Sequence, residues 1–163
     1  MKPLIQEAVA SLWKYTNTLR NVVITDLGCS AGPNAPTLVK TAADAIFHHC
    51  SDHKEMVPEI SVLLNDLPDN DFNNVAKRLF AFQESTQDFG HVFTAIVPGS
   101  FYKRLFTSNS VNLVLSSHSL NWLSQVIYIG PDLQYSRKSL EIYIGTMKYT
   151  GTRGSKEKQD PCV

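Results

Sequence analysis

An open, mainly parallel α/β sheet is the fold class predicted for this chain of 163 residues. Three observations carry it. Apolar, β-branched runs of strand length recur between amphipathic segments. Each run closes on a cluster of Gly, Pro, Asp or Ser. The resulting strand-helix-strand-helix alternation calls for crossover connections of one hand. A content of 43% hydrophobic and 18% charged residues can bury a core and is unlike that of a disordered chain.

Leu4, Ile5, Ala8, Val9, Leu12 and Trp13 recur at helical spacing, so 4–13 is read as an amphipathic helix. After a polar stretch, VVITD at 22–26 reads as a buried strand. The segment LGCSAGPN at 27–34 is a glycine-punctuated turn. Asn34 suits a helix cap and Pro36 the first turn, where a missing N–H costs nothing, with the helix running to about Cys50. The second strand is ISVLLN at 60–65, ended by DLPDN. A helix from about Asp71 to Phe82 follows, with Phe72, Val75, Ala76, Leu79 and Phe80 on one side. A third strand at 92–97 closes on Pro98-Gly99-Ser100, a short helix or turn spans 101–106, and 111–116 is a fourth strand.

The pattern changes beyond Gln125. Short strands are expected at 126–129 and 140–144, and the polar stretch 148–163 is expected to fray. The predicted organisation is therefore an open α/β domain at 1–125, divergent short strands at 126–147 and a disordered tail at 148–163.

Charge and cysteine content exclude several functions. Fifteen Lys plus Arg offset fifteen Asp plus Glu, which argues against a nucleic-acid binder relying on a bulk basic field. No apolar run is long enough to cross a bilayer, and Gln6 and Glu7 interrupt any signal-peptide core. Cys29, Cys50 and Cys162 are odd in number and lack metal or disulfide spacing, so a reducing, cytoplasmic setting is expected. The run His48-His49-Cys50-x-x-His53 matches no standard zinc pattern and reads as histidines complementing a helix C-terminus, so no metal is expected. Cys29 lies near a helix N-terminus that could lower its pKa. No His is placed by sequence to activate it, and it reads as a small turn residue. His118 between Ser117 and Ser119 is not a catalytic triad, because adjacent side chains cannot meet in that geometry.

Ligands of open α/β sheets bind at the carboxyl ends of the strands. Four unusual segments fall there: DLGCSAG, NDLPDNDF, VPGSFY and SSHSLNWLS. Gly28 and Gly32 let the backbone approach a ligand, but their spacing is G-x-x-x-G and not G-x-G-x-x-G. Asp66, at the tip of the second strand, can accept two hydrogen bonds from a ribose diol. It follows Asp26 by 40 residues, against ~20 in the nicotinamide fingerprint. A cofactor with a ribose but no pyrophosphate therefore fits better than NAD. Trp122 on its own reads more readily as a core aromatic, and only its place after SSHSL gives the substrate-contact reading equal weight.

Taken in order, VVITDLGCSAGPNA, LLNDLPDNDFN, VPGSFYKRLF and SSHSLNWLSQV resemble the SABATH family of plant S-adenosylmethionine-dependent carboxyl methyltransferases, over about residues 2–126. That family includes salicylate, benzoate and jasmonate methyltransferases, and EIYIG at 141–145 faintly resembles its next strand. The resemblance implies a Rossmann-like methyltransferase sheet and S-adenosyl-L-methionine as cofactor. It implies cofactor contacts from Asp26 and Gly28 at the amino-acid end, Asn34 beyond them, Asp66 on the ribose, and Leu67, Ser100 and Phe101 around the adenine. His118 and Trp122 would line the substrate pocket, with Trp122 donating its N–H to a carboxylate. His118 departs from the aromatic residue, often Tyr, of that position. No catalytic acid or base is implied, because a carboxylate nucleophile is already ionised near pH 7.

Family members are about twice as long, so the resemblance also implies an incomplete fold: its N-terminal half, without the helical cap. The expected function is methylation of a small plant carboxylate, of salicylate, benzoate or jasmonate type, with little or no activity from this chain alone. The alternatives are a non-catalytic remnant that binds cofactor or dimerises with itself or a full-length relative, and an NAD-dependent oxidoreductase.

Overall fold

The computed structural model describes residues 2–14, 20–86, 92–117, 119 and 142–145. In α1 (Lys2–Lys14) the apolar spacing turns Ile5, Val9 and Leu12 into the core. β1 (Asn21–Leu27) and β2 (Glu59–Asp66) pair in parallel, with Val22 beside Ile60 and Leu27 beside Asn65. β3 (Val92–Pro98) pairs in parallel with β2, and β4 (Leu113–Ser117) with β1. The strand order is β3-β2-β1-β4-β5, where β5 is Ile142–Gly145 and runs antiparallel to β4. The short strand predicted at 140–144 is thus present within one or two residues. The one predicted at 126–129 lies outside the described residues, as does the tail.

The alternation of each strand divides the core. Val22, Ile24, Ile60, Val62, Leu64, Leu113 and Leu115 face one side, where they pack with α1, α2 (Thr37–His53) and α3 (Phe72–Ser85). Leu27 and Val114 face the other side and pack with Val111, Phe101, Leu105 and Phe106, from the segment between β3 and β4. Both helical connections lie on one face and the β3–β4 connection on the other. Right-handed crossovers give that arrangement when the chain first moves outward from β1 and then returns past it. The topological switch point is therefore between β1 and β4.

Two boundaries differ from the predicted ones for identifiable reasons. Asn34 does not cap α2: the cap position is Pro36, without a side-chain hydrogen bond, and the exposed Asn34 offers only its carbonyl, to the Thr37 N–H at 2.9 Å. The residue before a proline is pushed out of the helical region, so Ala35 cannot open the helix. β4 begins at Leu113 and not at Val111, because the Asn112 side chain accepts the Val23 N–H at 2.8 Å while its own N–H donates to the Val23 carbonyl. That side-chain bond stands in for a rung of the ladder. At the far end α2 runs past Cys50 to His53, stopped by Lys54 at φ 55°. His53 Nδ1 lies 2.8 Å from the His49 carbonyl and the two rings stack 4.2 Å apart, so the histidines engage the helix end.

Asp71 caps α3, its side chain accepting the Asn74 N–H at 3.1 Å. Asp71→Ala is expected to cost about 1 kcal/mol, read from the midpoint of a urea titration. None of the described helices is long and apolar enough to cross a membrane.

Candidate functional site

The strand register brings four loops to one end of the sheet. Asp26 pairs with Leu64, so Asp66 stands one two-residue step farther along the neighbouring strand, on the same face. Backbone bonds then join the loops. The Gly28 and Cys29 N–H groups both donate to the Asn65 carbonyl at 2.9 Å, and the Gly99 N–H donates to the Asp66 carbonyl at 2.8 Å. Buried Asn65 reinforces this, its Nδ2 donating to the carbonyls of Val97 at 2.8 Å and Gly99 at 2.9 Å. On the β4 side, the Ser116 and Ser119 hydroxyls reach the Leu27 carbonyl at 2.9 and 2.7 Å.

Asp66 sits at the centre of this junction. Its Oδ2 accepts the Ser30 N–H at 2.6 Å and its Oδ1 the Leu67 N–H at 2.8 Å. Each carboxylate oxygen can accept a second hydrogen bond. The carboxylate is therefore fixed in direction, half-exposed, and retains acceptor capacity for two donors from outside.

Asp26 is the opposite case. Only 4% of it is exposed, and its Oδ1 has no hydrogen-bond partner among the described residues. Burial, and then the nearby Asp66 charge, push its pKa up to about 8. The same environment acts on Cys29, whose thiol is pushed up to about 12 by burial and then by Asp26 and Asp66. The helix N-terminus does not activate this thiol; its own burial, and then the two neighbouring acids, suppress its ionisation. The strand tips are thus an acidic site, complementary to a cationic ligand and unfavourable for a pyrophosphate.

Gly28 has φ +74°, a conformation in which other residues are strained, and a Cβ there would overlap the Ser119 side chain. Gly28→Ala is expected to destabilise the fold by about 3 kcal/mol, combining left-handed strain with overpacking, as measured by denaturant unfolding.

Of the other predicted site residues, Leu67 is 51% exposed beside Asp66, where an apolar side chain can cover a ligand. Ser100 follows Gly99 in the same junction, and its Oγ accepts the Tyr102 N–H at 3.3 Å. Phe101 packs against the second apolar cluster, with its ring 5.0 Å from that of Tyr102. Asn34 is exposed, in the turn before α2. His118 and Trp122 lie outside the described residues. Sequence reasoning missed Ser30, Asn65, Ser116 and Ser119. Only Asn65 carried a signal, as a polar residue ending an apolar run.

Comparison with known proteins identifies relatives of this chain. A family model described as SAM dependent carboxyl methyltransferase matches residues 1–151. Jasmonate O-methyltransferase of Arabidopsis thaliana is 40% identical over 134 residues, covering 76% of this chain and 34% of that protein. An S-adenosyl-L-methionine:benzoic acid/salicylic acid carboxyl methyltransferase of Petunia hybrida is 42% identical over 132 residues, covering 77% and 36%. The chain spans about a third of the length of the curated relatives it matches. A solved loganic acid methyltransferase with SAH superimposes with a TM-score of 0.61 at 32% identity, covering 77% of this chain and 34% of that one.

Proposed function

The chain belongs to the SAM-dependent carboxyl methyltransferase family, and from that premise we propose that its strand tips bind S-adenosylmethionine for methyl transfer to a small carboxylate. The observation that carries the reading is the Asp66 carboxylate, clamped by two backbone N–H groups at the tip of β2 with acceptor capacity to spare. A ribose diol supplies two donors in a fixed relation, which suits a carboxylate whose direction is fixed. The unpartnered Asp26 Oδ1 beside the Gly28 turn fits the cationic amino-acid end of such a cofactor. NAD has the ribose but brings a pyrophosphate toward the Asp66 carboxylate, with the buried Asp26 carboxyl beside it. In addition α2 begins only at Thr37, so no helix N-terminus directly follows β1 to receive an anion.

When bound, the cofactor supplies an electrophilic methyl group on a positively charged sulfur. The chain contributes position. Asp66 orients the sugar, Leu67, Ser100 and Phe101 border the base, and Asp26, Gly28 and Asn34 surround the amino-acid end. His118 and Trp122 are proposed to line the substrate side, with the Trp122 N–H donating to the carboxylate. The nucleophile needs no base near pH 7, so rate depends on alignment of oxygen, methyl and sulfur and on exclusion of water.

The proposed substrates are carboxylates of the salicylate, benzoate or jasmonate type, the chemistry named for the relatives. The reading includes a cytoplasmic location, in keeping with the free thiols of Cys29 and Cys50, and self-association or pairing with a longer relative. Calorimetric titration of the purified chain with S-adenosylhomocysteine and with NAD tests the cofactor assignment. Saturable binding of the first and none of the second is expected, and the reverse order would overturn it. Transfer of a labelled methyl group to salicylate, benzoate or jasmonate tests the reaction class.

A further inference from the structure

The Leu27 carbonyl ends β1 at the switch point, immediately before the left-handed turn at Gly28. Two hydroxyls from the far side of the switch point converge on it: Ser116 Oγ at 2.9 Å and Ser119 Oγ at 2.7 Å, and the two Oγ atoms are within hydrogen-bond distance of each other. Three oxygen–oxygen contacts share two protons, so one hydroxyl donates to the other while that one donates to the carbonyl. The three oxygens form a closed group in which no member moves alone, and Ser116 is buried. Ser119 also occupies the space that any side chain at position 28 would need. The end of β1 is thus fixed by the segment after β4, and by groups distant in sequence.

We propose that Ser119, supported by Ser116, is a positioning residue that sets the Gly28 turn. This inference rests on the cofactor reading above. Its distinctive consequence is selective: the Gly28 turn faces the amino-acid end, whereas Asp66 and its neighbours face the nucleoside. Loss of Ser119 should therefore affect a ligand with an amino-acid end and spare one without it.

The test is calorimetric titration of the full chain and its Ser119→Ala variant with two probes, S-adenosylhomocysteine and adenosine. Ser119→Ala is expected to weaken S-adenosylhomocysteine by about tenfold, the scale of one lost buried hydrogen bond, and to leave adenosine within about twofold. An equal loss for both probes, or no loss for either, overturns the proposal while leaving the cofactor reading intact. A parent chain that binds neither probe overturns both. If Ser119→Ala does not fold, Ser116→Ala carries the test, because it leaves the Ser119–Leu27 bond in place. It is expected to weaken S-adenosylhomocysteine by about threefold with adenosine unchanged, and an unchanged ratio between the probes overturns the proposal.

Discussion

Asp66→Ala is expected to weaken S-adenosylhomocysteine binding by at least 100-fold, on the order of two lost charge-assisted hydrogen bonds, the largest effect of any single substitution at the strand tips. Two effects add. The variant loses the acceptor for two ribose hydroxyls, each charge-assisted bond being worth about 1.5–3 kcal/mol. It also releases the Ser30 and Leu67 N–H groups, which the carboxylate holds at 2.6 and 2.8 Å. The loop after β1 and the loop after β2 then lose the anchor that fixes them relative to each other. Asp66→Asn keeps one acceptor but turns an NH₂ group toward one of the two N–H donors, so an intermediate loss of about 10-fold is expected. Adenosine should lose affinity in parallel, since the sugar is common to both ligands. The freed N–H groups lie where water can reach them, so the change in unfolding free energy is expected to stay near 1 kcal/mol. A variant that is destabilised but still folded and keeps its affinity would reverse the assignment, making Asp66 a structural clamp only.

The order of strands and helices was legible because each element carries its own local signal. The strand runs ending in Asp26 and Asn65 follow directly from side-chain period, whereas the helix faces follow it only in part: Ile5, Val9, Leu12, Val75 and Leu79 turn inward as predicted, but Leu4, Ala76 and Phe80 stay exposed. Asp66 and Gly28 were legible for the same reason, standing at the ends of such runs. The junction was not. Its bonds join residues far apart in sequence: Ser30 to Asp66 across 36 positions, Asn65 to Gly99 across 34, and Ser119 to Leu27 across 92. No local period encodes those pairings; they exist only once the sheet order has placed β1 between β2 and β4. Asn112 illustrates the same limit, because a side-chain amide that takes over one rung of a ladder looks in sequence like one more strand residue. Cys29 read in sequence as an unactivated turn residue; what sequence could not supply is the cause, burial first and then the neighbouring Asp26 and Asp66, which hold its thiol pKa up.

Asp26 gives the protein a pH dependence whose sign is opposite to that of a salt-bridged aspartate. Burial first, and the Asp66 charge second, raise its pKa from 3.8 to about 8 in the folded chain. In the unfolded chain it ionises near the ordinary value. Between those two values the folded chain holds a proton that the unfolded chain lacks, so stability is greatest below the lower one. It falls as pH rises, by up to about 1.4 kcal/mol per pH unit, and levels off above the higher value. Asp26→Asn has the same shape and no charge to bury. It is expected to remove this slope, matching the parent near pH 4 and exceeding it by several kcal/mol near pH 8, in urea titrations across the range. The gain in stability should come with a loss in binding. A cationic ligand beside Asp26 lowers its pKa, so binding near pH 7 should release up to about one proton. Binding enthalpies in buffers of different ionisation heat measure that number directly. Proton release by the parent chain and none by Asp26→Asn would place this carboxyl against the cofactor's cationic end. Equal release by both would leave it a buried acid whose only effect is on stability.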